Sequence, residues 1–184
     1  MTVLSPDDAA WPRLLTARLG DAAPKKLTAL GNLDLLALPK TALFCSARCP
    51  GRVILPTYDQ AAKWRDTGRC VISGFHSPVE RECLHILLRG DAPVILCPAR
   101  GMLLRLPAQW AITVASGRML ILSAFAATAN RVTAELAARR NDFVAALADE
   151  IFIAHITIGG QLEQFAKRLR AQGIPIIGPS AERA

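Results

Sequence analysis

The segment Arg69-Cys-Val-Ile-Ser-Gly-Phe-His-Ser-Pro-Val-Glu80 contains the change of pattern that decides the fold. Its first part, residues 69–73, has an apolar centre, which is typical of a strand buried on both faces of a parallel sheet. Ser77, Pro78 and Glu80 then have the spacing of a helix start. The serine and the glutamate cap each other's backbone amides there, and the proline occupies the first helical position. The segment predicts a strand that leads through a short loop into a helix.

The same strand pattern recurs along the chain, at Thr41–Ser46, Pro93–Cys97, Met119–Ser123, Glu150–Ala154 and Ile174–Gly178. Amphipathic stretches that each end at a glycine lie between some of these runs, at Tyr58–Thr67, Val79–Arg89 and Gln161–Gln172. Strands and helices in alternation predict right-handed crossover connections. We therefore expect an α/β protein with a Rossmann-like, doubly wound, mainly parallel six-stranded sheet that has helices on both faces.

Residues 1–38 differ from the rest because prolines interrupt them. Trp11-Pro12 and Pro24 separate two short stretches with helical character, around Leu14–Leu19 and Lys25–Leu30. We therefore predict two parts, a short helical N-terminal lead-in at residues 1–38 and a Rossmann-like domain at residues 39–184.

Composition limits the class of protein. The 184 residues suffice for a core that needs no disulfide or metal. No apolar run reaches the roughly 18 residues of a membrane span, and the acidic, proline-broken start is unlike a signal peptide. Five cysteines form an odd number without zinc spacing. We expect a cytoplasmic protein with no metal, no cofactor and no membrane contact.

Charge points to the kind of partner. The chain has 22 Lys and Arg against 15 Asp and Glu, a net charge of +7. Such an excess favours phosphate-bearing partners, either nucleic acid or a nucleotide. An arginine-rich composition without any binding role would give the same excess.

Open parallel sheets bind ligands outside the carboxyl ends of their strands. The predicted loops at that edge, and the predicted helix start at residues 139–141, supply ten candidates for nucleic-acid or phosphate contact: Arg48, Ser73, Gly74, His76, Ser77, Arg100, Arg140, Asn141, Gly159 and Gly160. Helix-start amides attract phosphate, arginine pairs with it, and glycine lets a backbone approach closely. Phe75 and His76 are candidate platforms for base stacking.

Motifs of catalysis are missing from these loops. No G-x-S-x-G elbow, no G-x-G-x-x-G turn and no P-loop occurs in the sequence. Ser77 and Glu80 also have a purely structural interpretation as a helix cap. We predict no catalytic residue, and a binding protein rather than an enzyme.

The order of these pieces resembles the DNA-processing protein A (DprA/Smf) family from about Leu30 to Gly178. The similar segments are Leu30–Leu36 for its Gly-Asn-x-x-Leu-Leu, Ser46-Ala47-Arg48 for its Gly-Ser-Arg, Ser73-Gly74 for the start of its Ser-Gly-x-Ala-Arg-Gly-Ile-Asp, Arg140-Asn141 for its Arg-Asn-Arg and Gly160-Gln161-Leu162 for its Gly-Ser-Leu. Two basic positions depart from that pattern, because Ser77 and Asp142 stand where the family has arginine.

This resemblance implies binding of single-stranded DNA through a basic face at the carboxyl ends of the strands. It also implies a role in DNA uptake, recombination and natural transformation, a recombinase partner and a homodimer. Because the chain ends soon after the sixth predicted strand, we expect a short form without the family's C-terminal winged-helix domain. An alternative within the superfamily is a nucleotide-binding sensor or a nucleotide-cleaving, phosphoribohydrolase-like protein, for which Glu80 and Glu163 are the carboxylates to test. A structural module without a working pocket is the third interpretation.

Overall fold

The computed structural model describes residues 1–103 and 105–179. Those residues form one sheet of eight strands: β1 (Thr2–Leu4), β2 (Leu27–Gly31), β3 (Lys40–Phe44), β4 (Cys70–Ser73), β5 (Val94–Leu96), β6 (Met119–Ser123), β7 (Glu150–Ile153) and β8 (Ile176–Ile177). All six predicted strands are present as β3 to β8. The α/β class and the mainly parallel sheet are confirmed, whereas the predicted count of six strands is wrong.

The sheet has the order β1-β2-β6-β5-β4-β3-β7-β8. The six strands β3 to β8 are parallel to one another, and β2 runs antiparallel to both β1 and β6. From β3 the chain builds outward through β4 and β5 to β6, and it then crosses to the other side of β3 to form β7. The direction of winding therefore reverses between β3 and β7, which is where sheets of this kind open a ligand crevice at their carboxyl ends.

The N-terminal segment contributes more than helices. Arg13–Leu19 forms helix α1, as predicted, but Leu27–Gly31 forms β2, so the helix predicted around Lys25–Leu30 is wrong. Side chains of β2 alternate between buried and half-buried, with Leu27 and Ala29 inside. Pairing with β6, from Thr28 opposite Ser123 to Gly31 opposite Leu120, outweighs the weak helical preference of this short stretch.

Helices cover both faces of the sheet. One face carries α1, α5 (Ala134–Leu147) and α6 (Gln161–Ala171), and the other carries α2 (Gly51–Thr67), α3 (Pro78–Leu88) and α4 (Ala108–Ala115). Successive side chains of β3 point to opposite faces, so that Phe44 packs with α5 and α6 and Leu43 packs with α2 and α3. Burial on both faces explains why the strand sequences are apolar almost throughout.

Helix ends differ in part from the prediction. Gly68 and Gly173 follow α2 and α6 with φ of 69° each, the left-handed end that was predicted. Gly90 lies two residues beyond α3 and instead packs closely against the Arg65 side chain. Helix α4, which was not predicted, follows Pro107. None of the helices that the structure describes is long and apolar enough to cross a membrane.

Candidate functional site

Two cavities border His76 at the carboxyl edge of the sheet, each with a volume of about 440 Å³. The first, here called the switch-point cavity, lies at the crevice between β3 and β7 and is lined among others by Ser46, Arg48, Glu80, Asn141, Thr157 and Gly160. The second, here called the tryptophan cavity, lies beyond β4 and β5 and is lined among others by Arg100, Leu103, Arg105, Trp110, Val132 and Arg140. His76 belongs to both walls.

Glu80 fixes the loop that carries His76. Its Oε1 accepts from the backbone N–H of Cys45 at 2.8 Å, and its Oε2 accepts from the N–H of His76 at 2.9 Å and of Ser77 at 3.3 Å. The Ser77 hydroxyl accepts in turn from the Glu80 N–H at 3.2 Å. The predicted capping box is therefore present, and its carboxylate also ties the end of β3 to the start of α3. Because these amides donate to Glu80, they are not available to donate to a phosphate.

Arg140 lies inside the protein rather than on its rim. The residue is 1% exposed and sits in the middle of α5, which begins after the cap residue Thr133, so the helix start predicted at residues 139–141 is wrong. Its guanidinium donates to the Cys97 carbonyl at 3.4 Å and to Asn141 Oδ1 at 2.9 Å. A Cβ on Gly74 would overlap this guanidinium. Glycine at position 74 therefore makes room for a buried cation.

His76 connects this cation with the buried carboxylate. Its Nδ1 lies 2.9 Å from Arg140 Nη2 and 3.0 Å from Glu80 Oε2. An unprotonated Nδ1 accepts from the guanidinium, whereas a protonated Nδ1 donates to the carboxylate. The ring itself is 49% exposed. The half-exposed imidazole of His76 is thus held by two buried groups of opposite charge, Arg140 and Glu80.

The surroundings keep both buried groups charged. Burial pushes the pKa of Glu80 upward, but the hydrogen bond and charge of His76 and the charge of Arg140 lower that pKa to below its ordinary value of 4.5. Burial lowers the pKa of the Arg140 guanidinium, and the charge of Glu80 opposes this effect. Arginine stays protonated in proteins because its ordinary pKa is so high. The site therefore contains a compensated ion pair under a partly open histidine.

Other predicted residues have structural roles. Ser73 is buried, and its hydroxyl donates to the Leu43 carbonyl at 2.8 Å and accepts from the Phe75 N–H at 3.1 Å. Phe75 has a φ of 47° and is only 5% exposed. Its ring belongs to the apolar cluster under α2 and α3. The prediction that Phe75 is a stacking platform is therefore wrong, while His76 keeps an accessible ring.

The remaining candidates do lie at the open edge. Arg48 and Arg100 are exposed, and they stand on opposite sides of His76, one at each cavity. Asn141 and Gly160 are half-buried and line the switch-point cavity. Gly159 has a φ of 74° and donates its N–H to Glu163 Oε2 at 2.7 Å. The structure thus brings Arg48, Asn141 and Gly160 together and places Arg100 in the neighbouring cavity.

Sequence reasoning missed several side chains of the tryptophan cavity. Leu103, Arg105 and Trp110 come from the connection after β5, whose predicted loop stopped at Gly101, and from the unpredicted helix α4. The i, i+4 spacing of Trp110 and Val114, which places both on one side of a helix, was the available signal. Arg81 was missed as well, and its guanidinium donates to the His76 carbonyl at 3.1 Å. It brings a cation to a loop that has serine at position 77 where the similar family has arginine.

Two solved structures of DNA processing protein A have a similar fold. DNA processing protein A from Streptococcus pneumoniae matches with a TM-score of 0.79 and 20% identity, over 96% of this chain and 62% of that chain. This chain therefore spans less than two thirds of that relative. DNA processing protein A from Helicobacter pylori, in a structure concerned with its single-stranded DNA binding mode, matches with a TM-score of 0.76 and 21% identity, over 96% and 79%.

A more distant match reaches outside those two proteins. The molybdenum cofactor carrier protein from Chlamydomonas reinhardtii has a TM-score of 0.55 and 12% identity, over 79% of this chain and 82% of that chain. At such identities the structural matches show the shared fold alone. No curated protein matches the sequence.

Sequence comparison with protein families is more specific. The family model of DNA recombination-mediator protein A matches residues 2–164, which include every strand from β1 to β7 and both cavities. The match covers most of the chain. This protein therefore belongs to the DNA recombination-mediator protein A family.

Proposed function

We propose that this protein binds single-stranded DNA across the carboxyl edge of its sheet, with His76 at the centre of the interface. The observation that carries the proposal is the pair of cavities on the two sides of one half-exposed histidine, each with an exposed arginine at its rim. A single strand needs such a run of phosphate and base contacts along one groove. Membership of a recombination-mediator family, and the DNA binding named for the Helicobacter pylori relative, support it.

Phosphate contacts in the switch-point cavity come from two sources. Arg48 is exposed at its rim. Helix α6 starts at Gln161 with Gly160 as its cap residue, and no side chain caps this end. The first amides of a helix, together with its dipole, favour a negatively charged group. We therefore place one phosphate between Arg48 and the start of α6, and a second near Arg100.

A salt titration tests this proposal. The association constant for a labelled oligo(dT) can be measured by fluorescence anisotropy at several salt concentrations. Its logarithm should fall with the logarithm of the salt concentration, with a slope of about 0.7 for each phosphate contact. Arg48→Ala and Arg100→Ala should each lower the slope by about that amount. Lys63→Ala, which removes an exposed charge from α2 away from both cavities, is the matched control and should leave the slope unchanged. Oligonucleotide binding that does not respond to salt would contradict the proposal.

The nucleotide-cleaving alternative finds less support in the two glutamates. Glu80 is engaged by three backbone amides. Glu163 accepts from the Gly159 N–H and pairs with Lys167 at 3.2 Å. These contacts, the amide first, hold the pKa of Glu163 below its ordinary value. A general acid at neutral pH requires a raised pKa instead, so we propose binding without hydrolysis.

The wider role follows from the family resemblance. We propose that the protein acts in DNA uptake and recombination in the cytoplasm, as a homodimer and together with a recombinase. Strand β8 lies at an edge of the sheet, no other strand of residues 1–103 and 105–179 pairs with its outer side, and Ile177 on it is 38% exposed. Pairing with a second copy would cover such an edge. Sedimentation velocity should give twice the monomer mass of 19.8 kDa at micromolar concentration. A monomer at every concentration would contradict the homodimer.

A further inference from the structure

One ring nitrogen of His76 faces two partners that make opposite demands on it. Nδ1 lies 2.9 Å from Arg140 Nη2 and 3.0 Å from Glu80 Oε2. A guanidinium only donates hydrogen bonds, and an ionised carboxylate only accepts them. Nδ1 can therefore serve Arg140 only without a proton, and Glu80 only with one. The choice also decides whether the other ring nitrogen, Nε2, is a donor or an acceptor when the ring is neutral.

The remaining contacts of the two partners favour Arg140. The Glu80 carboxylate already accepts from three backbone amides, two of them on Oε2 itself. Arg140 donates from Nε to Asn141 and from Nη1 to the Cys97 carbonyl, so that Nη2 has only His76 as its acceptor among the described residues. Arg140 is 1% exposed, and a buried donor without an acceptor is costly. Every group has a partner only when Nδ1 carries no proton.

We propose that Arg140 fixes the tautomer of His76, with the proton on Nε2, and that the neutral ring donates this Nε2–H to a phosphate oxygen of the bound strand. The inference rests on the proposed function and assigns a contact of a different kind from those of Arg48 and Arg100. Salt dependence arises from cations that neutralise phosphates. A neutral imidazole should therefore add to affinity without adding to the salt slope.

The backbone of His76 holds the ring in place for such a contact. Its N–H donates to Glu80, and its carbonyl accepts from the Arg81 guanidinium at 3.1 Å. The preceding residue, Phe75, is 5% exposed and belongs to the apolar cluster under α2 and α3. The His76 side chain is nevertheless 49% exposed and borders both cavities. Since Nδ1 is turned to the buried groups, Nε2 is the ring nitrogen left for a ligand.

Salt titrations with oligo(dT) at pH 8.5 distinguish a neutral donor from a cation, because histidine ordinarily changes its charge between pH 5 and 8. His76→Ala should lower affinity about tenfold at every salt concentration and leave the slope unchanged. Arg48→Ala should lower the slope by about 0.7 under the same conditions. His85→Ala removes an exposed histidine of α3 that lines neither cavity, and this matched control should change neither quantity.

Two further substitutions separate the ring nitrogens. The side-chain amide of glutamine reaches about as far as Nε2, whereas that of asparagine reaches only about as far as Nδ1. His76→Gln should therefore keep oligo(dT) affinity within about threefold of wild type. His76→Asn should lose about tenfold, although its Oδ1 can still accept from Arg140. The reverse order of affinities would overturn the assignment.

Nitrogen-15 NMR of the free protein tests the role of Arg140 without DNA. At pH 8.5 the ring of His76 should show a protonated Nε2 and an unprotonated Nδ1, and the spectrum of His76→Gln identifies its signals among the three histidines. Arg140→Met removes the donor, and it should shift the proton to Nδ1, from which it is donated to Glu80. A proton on Nδ1 in the wild-type protein would overturn the inference, whatever the variant shows.

The outcomes distinguish this inference from the function on which it rests. Salt-dependent oligo(dT) binding that His76→Ala leaves unchanged, or whose slope His76→Ala lowers, overturns the neutral contact and leaves the proposed function standing. Failure of the wild-type protein to bind oligo(dT) overturns the proposed function, and the phosphate contact with it. A proton on Nε2 together with a loss of affinity that is the same at all salt concentrations supports both.

Discussion

Arg140 is a charge that the protein keeps away from water, and its neighbours show how. A buried cation is strongly destabilising unless charge and hydrogen-bond partners compensate it. Here Glu80 supplies the opposite charge, while Asn141 Oδ1 and the Cys97 carbonyl accept from the guanidinium. Gly74 supplies the space, since any Cβ there would overlap the guanidinium. Because Arg140 is 1% exposed and its Nη2 lies 2.9 Å from His76 Nδ1, we expect it to position His76 rather than to contact a phosphate directly.

Gly74→Ala should destabilise the protein by roughly 2–4 kcal/mol, because either the new methyl group or Arg140 must move in a packed interior. Urea unfolding measures this loss. Gly51→Ala is the matched control, since a Cβ at that position meets nothing within 4 Å, and it should stay within about 0.5 kcal/mol of wild type. Equal stability of the two variants would contradict the packing described for Arg140.

Glu80→Gln should change how stability depends on pH. The pKa of Glu80 is below its ordinary value of 4.5 in the folded protein, so the unfolded chain binds its proton first as pH falls. The stabilisation by the ionised carboxylate is therefore complete above about pH 4.5 and is lost as pH falls from there through the folded pKa.

Urea unfolding from pH 7 to pH 3 tests this linkage. At pH 7 the free energy of unfolding of the wild type should be higher than that of Glu80→Gln by roughly 2–4 kcal/mol, because the variant leaves Arg140 without its counter-charge. The difference should narrow below about pH 4.5. A difference of constant size over the whole range would contradict the pKa shift assigned to Glu80.

Among the elements, the strands with two covered faces were predictable and the others were not. Runs such as residues 119–123 are apolar because both faces are buried, so pattern alone identifies them. Strand β2 gives no such signal, since one side of it is only half-buried and its pairing partner β6 lies about 90 residues later in the chain. Helix α4 carries isoleucine and tryptophan on different sides and therefore lacks a clear apolar stripe.

The residues of the candidate site also divide into those that could be predicted from the sequence and those that could not. Loop positions such as Arg48 and Gly160 follow from the order of strands, because carboxyl ends of parallel strands meet at one edge. The burial of Arg140 could not be read from the sequence, since it depends on the missing Cβ of Gly74 in another loop. Trp110 was hidden for a related reason, because the chain brings α4 to the edge only through the tertiary packing of α4 on the sheet.

Gly31→Ala tests how β2 is attached to the sheet. Gly31 has a φ of 114°, and a Cβ there would overlap the Met119 carbonyl of β6. We expect a loss of roughly 2–4 kcal/mol in urea unfolding, because backbone strain and overlap add. Gly173→Ala has a similarly unusual φ of 69° but meets nothing within 4 Å, and should lose only about 1 kcal/mol. Losses of equal size would show that the close approach to Met119 is unimportant.

At the scale of the whole molecule, the burial of the free cysteines shows how well the interior is shielded from solvent. All five are unpaired, and only Cys49 is partly exposed. Burial raises the pKa of the Cys70, Cys83 and Cys97 thiols to about 12 in each case. Burial also raises the pKa of Cys45, which lies next to Cys49. Thiolate is the reactive form, so these four should react slowly in the folded protein.

Ellman's reagent should therefore label one thiol quickly in the native protein and all five after denaturation. Cys49→Ser should remove the fast phase and leave four thiols that react only on unfolding. Since no disulfide joins these residues, a reducing agent should leave the melting temperature unchanged. Several thiols that react quickly in the native state would contradict the packing of both apolar clusters.

The close fit between Gly74 and Arg140 also constrains how descendants of this sequence can change. A side chain larger than hydrogen is blocked at position 74 as long as the guanidinium occupies that space. A smaller residue at position 140 removes the block, but it leaves the buried Glu80 without its counter-charge. A change at either position alone should therefore cost stability, so the two positions are energetically coupled. We expect sequences that keep the buried cation to keep both residues.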